Sequence, residues 1–192
     1  MAIVKNDIEL WLAFKDGSER ALERLYKRHF PAMSRYGYRV FPDRLLVEDA
    51  IQDVFVDLWR RREYLSEVGQ VQPYLLRALR NQLLRNSRHD GFEQAENIDD
   101  FLDYLSTLSA EQHSIDRETQ LTRAQSVQNA LANLSHRQRE AIHLRFYQGL
   151  GLDAAAKVMG IQKQVVKNLL SKSYAVLRIT LKALISLIPI LF

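Results

Sequence analysis

The sequence predicts an all-α protein built as two small helical domains joined by an acidic connector. Three observations predict it. Apolar residues recur at helical spacing through the N-terminal block, short helices separated by glycine turns fill Leu134 to Arg178, and charge changes sign twice along the chain. Seven arginines between Arg60 and Arg88 face only Glu63 and Glu67, and nine acids between His89 and Glu118 face only Arg117. Between Leu134 and Lys182, nine Lys or Arg face two acids. The 192 residues suffice for one large or two small domains, and these blocks place the domains at 1–89 and 119–192 with the connector at 90–118.

The N-terminal block reads as helix throughout. Asp7 to Lys15 is amphipathic and stops at Gly17; Ser18 caps the next helix, in which Leu22, Leu25 and Tyr26 share a face. Pro31 is expected to mark a kink or a boundary of that helix. After Pro42 and Asp43, the residues Val47, Ala50, Ile51, Val54, Phe55 and Leu58 fall at i, i+3, i+4, i+7, i+8 and i+11, a core stripe. The opposite face carries Asp49, Gln52, Asp53 and Asp57, a carboxylate row that by itself reads as a solvated surface.

Arg60 to Tyr64 closes this helix, and a polar loop from Leu65 to Gln72 leads to Pro73, expected at the first position of a further helix. That helix buries some combination of Leu75, Leu76, Leu79, Leu83 and Leu84 and exposes Arg77, Arg80, Asn81, Arg85 and Arg88. Arginines beside aromatics such as Tyr64 and Tyr74 are the ingredients of a single-strand DNA site, where cations follow the backbone and rings stack on unpaired bases. The connector that follows has no proline and one glycine, so it is not a typical flexible linker. Its Phe92, Ile98, Phe101, Leu102, Tyr104 and Leu105 offer apolar groups for docking.

The C-terminal block reads as a helix-turn-helix with its supporting helix. Ser135 and Gln138 form a capping box at the first helix, and Gly149 and Gly151 end it. A second helix, Leu152 to Met159, ends at Gly160, which supplies the left-handed conformation of a tight turn, with Ile161 as its buried plug. From Gln162 onward, Val166, Leu170, Ser173 and Leu177 form the inward stripe of a third helix. Lys163, Gln164, Lys167, Asn168, Ser171 and Lys172 are left on the outer face, rich in donors for phosphates and in groups able to read base edges.

Composition narrows the function classes. With no cysteine, a disulfide scaffold, a thiolate metal site and a Cys nucleophile are excluded. The net charge of +4 and a pI near 9.4 are modest, so the distribution of charge matters more than its sum. The N-terminus has acids within its apolar stretch and no small-residue cleavage site, so no signal peptide is expected. No segment reaches the roughly 18 apolar residues of a membrane span. There is no Gly-rich phosphate loop, HExxH or GxSxG, and the five histidines are scattered, so no enzyme, cofactor or metal is expected and the histidines read as surface or partly packed.

The order of these blocks resembles a bacterial RNA polymerase sigma factor of the extracytoplasmic-function (ECF) type, from about Leu10 to Leu181. The string from Ala21 to Tyr64, then PYLLRALRNQLLRNSR, the acidic connector, and LSHRQREAIHLRFYQGLGLDAAAKVMGI carry the resemblance. It implies that the first block is sigma region two, which binds the polymerase clamp and melts the minus-ten element, and the last is region four, which reads the minus-thirty-five element. Asp49, Gln52, Asp53 and Phe55 resemble the motif that binds core polymerase on the clamp of its β′ subunit. Arg80 and Asn81 resemble the dipeptide that begins the promoter-melting helix. Minus-ten contacts are therefore expected from Tyr64, Tyr74, Arg77, Arg80, Asn81 and Arg88. Minus-thirty-five contacts are expected from Arg137, Arg145, Lys163, Gln164, Lys167, Asn168, Ser171 and Lys172. Implied partners are core RNA polymerase through its β′ and β subunits, promoter DNA and an anti-sigma factor, in the cytoplasm. The chain departs from the pattern at Arg85, where an acid is common, at Gly151, where a Ser or Thr cap is common, and at Leu169, where an arginine is common. The alternatives are a conventional helix-turn-helix regulator that never touches polymerase and a protein-binding helical adaptor.

Overall fold

A computed structural model describes the backbone of residues 6–41, 43–89 and 134–187, with side chains as far as Asn86 in the first block and Arg178 in the last. The acidic connector lies outside the described residues. No strand occurs among those described. The described residues fall into two compact units, one holding 6–89 with 153–161, the other 134–152 with 162–187.

In the first unit α1 (Asp7–Lys15) begins with a capping box: Asn6 accepts from the Glu9 amide, and the Glu9 carboxylate accepts from the Asn6 amide. Gly17, at φ +90°, ends it in a conformation that costs other residues about 1 kcal/mol. Ser18 caps α2 (Glu19–Val40) by accepting from the Ala21 amide. Pro31 marks no boundary, because α2 runs on past it as one helix. The proline lies on the exposed side, while Leu25, His29, Met33, Tyr36 and Val40 bury the opposite face. Packing of that face holds the helix together across the missing amide donor.

Asp43 caps α3 (Arg44–Arg60), accepting from the Leu46 amide at 3.1 Å. All six residues of the α3 stripe are buried. A single 3₁₀ turn, Arg62–Tyr64, precedes the loop, and α4 (Val71–His89) begins two residues earlier than expected, so Pro73 is its third residue and not its first. The cost is small there, because the first four amides of a helix have no acceptor within it. Leu75, Leu76, Leu79 and Leu83 are buried and Leu84 is half-buried. Helix α2 packs on α1, α3 and α4, and α3 on α4.

The C-terminal helices begin with α5 (His136–Ile142), where Ser135 and Gln138 form the capping box. The chain then widens into a π turn, His143–Tyr147, before Gly149 at φ +66° ends it. Gly149 alone carries the turn; Gly151 is not left-handed. Helix α6 (Leu152–Met159) buries Ala155, Ala156, Val158 and Met159 and ends at Gly160, φ +65°. Ile161 is half-buried and not the expected buried plug; its amide donates to the Ala156 carbonyl at 3.1 Å. Helix α7 (Lys163–Leu187) buries Val166, Leu170 and Ser173, half-buries Leu177, and packs on α5.

Candidate polymerase and nucleic-acid interfaces

Asp49, Gln52 and Asp53 are all exposed on α3, within one and a half turns, and so form one acidic and polar face. Phe55, expected at the same interface, is instead buried at 6% exposure with its ring edge-on to Tyr26 at 5.1 Å. It supports the helix from beneath. Its place at i+8 in the apolar stripe already carried that signal. One group of this face reaches a neighbouring helix: Gln82 Nε2 on α4 donates to Asp53 Oδ2 at 3.3 Å, and the Arg85 guanidinium donates to Gln82 Oε1.

On α4, Arg77, Asn81 and Arg85 are exposed, and Arg80 is half-buried. The Arg88 side chain lies outside those described. The two tyrosines expected to flank the loop differ. Tyr64 is 87% exposed, a ring open to solvent at the loop's entrance. Tyr74 is half-buried at the loop's exit, edge-on to the buried Trp11 at 5.0 Å. Burial raises its phenol above the ordinary value of 10.0, Arg61 opposes this and Asp57 adds to it, so the hydroxyl stays protonated. The contact that ties the loop down was not foreseen: Trp11 Nε1 of α1 donates to the Ser66 carbonyl at 3.3 Å.

On α7 all six expected residues, Lys163, Gln164, Lys167, Asn168, Ser171 and Lys172, are exposed. Gln164 Nε2 donates to Asn168 Oδ1 at 3.0 Å, one turn on, which fixes the two amides as a pair. Arg137 and Arg145 of the α5 segment are exposed as well. Arg145 spends one donor on the Leu150 carbonyl at 3.0 Å, fastening the turn while its other donors remain for a ligand. Phe146 and Tyr174 form an exposed edge-on pair at 6.0 Å that spacing gave no reason to expect. Two histidines are more buried than expected: His29 lies 3.2 Å from Asp7 Oδ2, and His143 lies 3.1 Å from the Gln148 amide nitrogen and stacks on Tyr147. Among the described residues no group of three His, Cys, Asp or Glu could hold a metal ion, and no helix is long and apolar enough to cross a membrane.

A helical bundle with an acidic face beside an arginine-rich one, followed by short helices that end on a basic, exposed helix, is suited to a protein that binds both a protein partner and nucleic acid. The chain belongs to the sigma-70 family as an ECF-type sigma factor: the models for Sigma-70 region 2 and Sigma-70, region 4 match residues 25–92 and 130–178, together more than half of it. Curated relatives span nearly its full length. It is 28% identical over 169 residues to the ECF RNA polymerase sigma factor SigL of Mycobacterium tuberculosis, covering 87% of this chain and 93% of that one. It is 23% identical over 165 residues to the RNA polymerase sigma factor CarQ of Myxococcus xanthus, covering 86% and 91%. Among solved structures, CnrH in complex with the cytosolic domain of CnrY shares the fold at 22% identity and TM-score 0.62, covering 92% of this chain and 97% of that one. The sigma factor RpoE of Bartonella quintana, solved with the anti-sigma factor NepR, does so at 23% identity and TM-score 0.55, covering 83% and 96%. The chain is an alternative sigma factor that directs transcription initiation.

Proposed function

We propose that the acidic face of α3 docks on the clamp of the β′ subunit of core RNA polymerase while α4 and its preceding loop open the minus-ten element. The exposed face of Asp49, Gln52 and Asp53 on α3 carries this assignment. Helix α3 packs on the arginine-bearing α4, with Gln82 donating to Asp53 between them, so the acidic face and the arginine-rich face belong to one bundle. Asp49, Gln52 and Asp53 supply acceptors to basic and polar groups of the clamp. Arg77, Arg80, Asn81 and Arg88 neutralise the displaced strand, and Tyr64 offers its face to an unstacked base. Taking a base from the stack costs a few kcal/mol, which residues 65–72, the loop and the first residues of α4, offset by enclosing it.

Helix α7 reads the minus-thirty-five element in the major groove, with Gln164, Lys167 and Asn168 toward base edges and Lys163, Ser171, Lys172, Arg137 and Arg145 toward phosphates. Leu169 presents an apolar group that suits a thymine methyl. The nine acids of the connector would be repelled by promoter DNA, and we assign them to the positively charged channels of polymerase, contacting β as well as β′. An anti-sigma factor as a further partner is supported by the structural neighbour RpoE, which was solved with the anti-sigma factor NepR. Action on polymerase places the protein in the cytoplasm, with no chemistry of its own. Exchange of residues 65–72 for the loop of a relative tests the assignment: the preferred minus-ten bases should change, and an unchanged start-site profile from a promoter library would refute it.

A further inference from the structure

We infer that Trp11 on α1 is a positioning residue for the minus-ten loop, and that α1 thereby takes part in base selection without touching DNA. The inference rests on the assignment of residues 65–72 as the base-capturing loop. From Ser66 to Gln70 that loop carries no regular structure, and only Val68 is even half-buried. Left alone, such a segment would sample many conformations and lose affinity for any one base to the entropy of ordering.

The indole of Trp11 is 1% exposed, and its Nε1 donates to the Ser66 carbonyl at 3.3 Å across 55 residues of sequence. The bond joins the body of the bundle directly to the loop's backbone. The same ring meets the exit side of the loop directly and its entrance side through intervening rings. On the exit side it meets Tyr74 edge-on at 5.0 Å. On the entrance side it meets Phe14 at 5.4 Å, Phe14 lies 6.3 Å from Trp59, and the Arg62 guanidinium covers Trp59 at 4.5 Å and donates to its carbonyl at 2.9 Å. An unbroken aromatic chain thus runs from Arg62 to Tyr74, with Trp11 at the point where it grips the loop itself. A tryptophan with a fully packed ring needs a partner for its N–H, and here the partner is the segment that must be held still.

The test uses the full chain assembled with bacterial core polymerase and a promoter library randomised over the minus-ten region. Trp11→Phe removes the N–H and keeps an aromatic ring in the chain. It should leave core affinity unchanged and lower discrimination among bases at the position served by the loop on the order of fivefold to tenfold. Ser66→Gly leaves the core untouched and loosens the gripped backbone, so it should give the same loss even if Trp11→Phe folds poorly. Met33→Ala, a change at a buried α2 residue outside that aromatic chain, should lower Tm and leave base preference in place. Unchanged preference in both Trp11→Phe and Ser66→Gly, or an equal change in Met33→Ala, would overturn the inference. If replacement of the whole loop also leaves preference unchanged, the assignment of the loop fails instead.

Discussion

A methyl group added to Gly37 of α2 would lie 2.4 Å from Val47 Cγ1 of α3. Gly37 is buried and helical, so it serves close approach of two helices and not backbone freedom. Valine is stiff at χ1 and cannot swing away. Gly37→Ala should therefore destabilise the first unit by about 1 to 3 kcal/mol through overpacking, despite alanine's better helix propensity. Val47→Ala in the same chain should return part of that loss. Urea unfolding of the two single variants and the double variant measures it, and simple additivity would contradict the contact.

Asp7 and His29 give the same unit a pH dependence. Burial, with some help from Arg28, holds the imidazole below its ordinary 6.5, and the Asp7 carboxylate only partly opposes it. The folded state thus refuses a proton that the unfolded chain takes up as pH falls through 6.5, and stability is present above that value and lost below it. Thermal unfolding from roughly one pH unit above that value to one below should show Tm falling with pH, and His29→Gln should flatten the slope. A rise of Tm on acidification would mean that Asp7 dominates and the ring is charged in the fold.

Asp49 and Asp53 are exposed, and an exposed hydrogen bond such as Gln82 to Asp53 contributes little to folding, under about 1 kcal/mol. Alanine at both positions should therefore leave Tm within a few degrees of the parent and weaken core polymerase binding by roughly tenfold or more. Titration of labelled chain into core enzyme checks this, and unchanged affinity would remove the acidic face from the interface.

Base reading and phosphate contact on α7 should separate. Lys167→Ala or Asn168→Ala should cost about 1 to 3 kcal/mol on a promoter and relax specificity at particular base pairs, while Lys172→Ala should weaken all duplexes alike and reduce the salt slope by about 1. Gln164→Ala should resemble Asn168→Ala, because the 3.0 Å bond between the two amides orients them together. Titrations on a promoter and a scrambled duplex at several salt concentrations decide, and identical behaviour of the Lys167 and Lys172 variants would contradict the division.

Features set by local chemistry were legible in the sequence. The 3.6-residue period placed the α3 core stripe and, by subtraction, the exposed faces of α3 and α7. Side-chain capping placed Ser18 and Ser135, and the left-handed glycines Gly17, Gly149 and Gly160 closed their helices. What failed depends on contacts between distant residues. Pro31 reads as a breaker because local propensity ignores the buried face that carries α2 across it. Phe55 reads as an interface group because a motif string does not say which side of a helix each residue occupies. The Trp11 bond to Ser66 joins α1 to a loop two helices later, and no local pattern announces it.

Run-off transcription decides whether this chain opens promoters as part of a polymerase holoenzyme. The purified chain, added to core RNA polymerase on a library of promoter fragments, should produce transcripts from discrete starts that core enzyme alone does not use. The Asp49→Ala, Asp53→Ala chain should produce far fewer at the same concentration. If the chain binds the fragments without core enzyme yet adds no start of its own when core enzyme is present, it acts as a conventional regulator, and its role in initiation through α3 and α4 is contradicted.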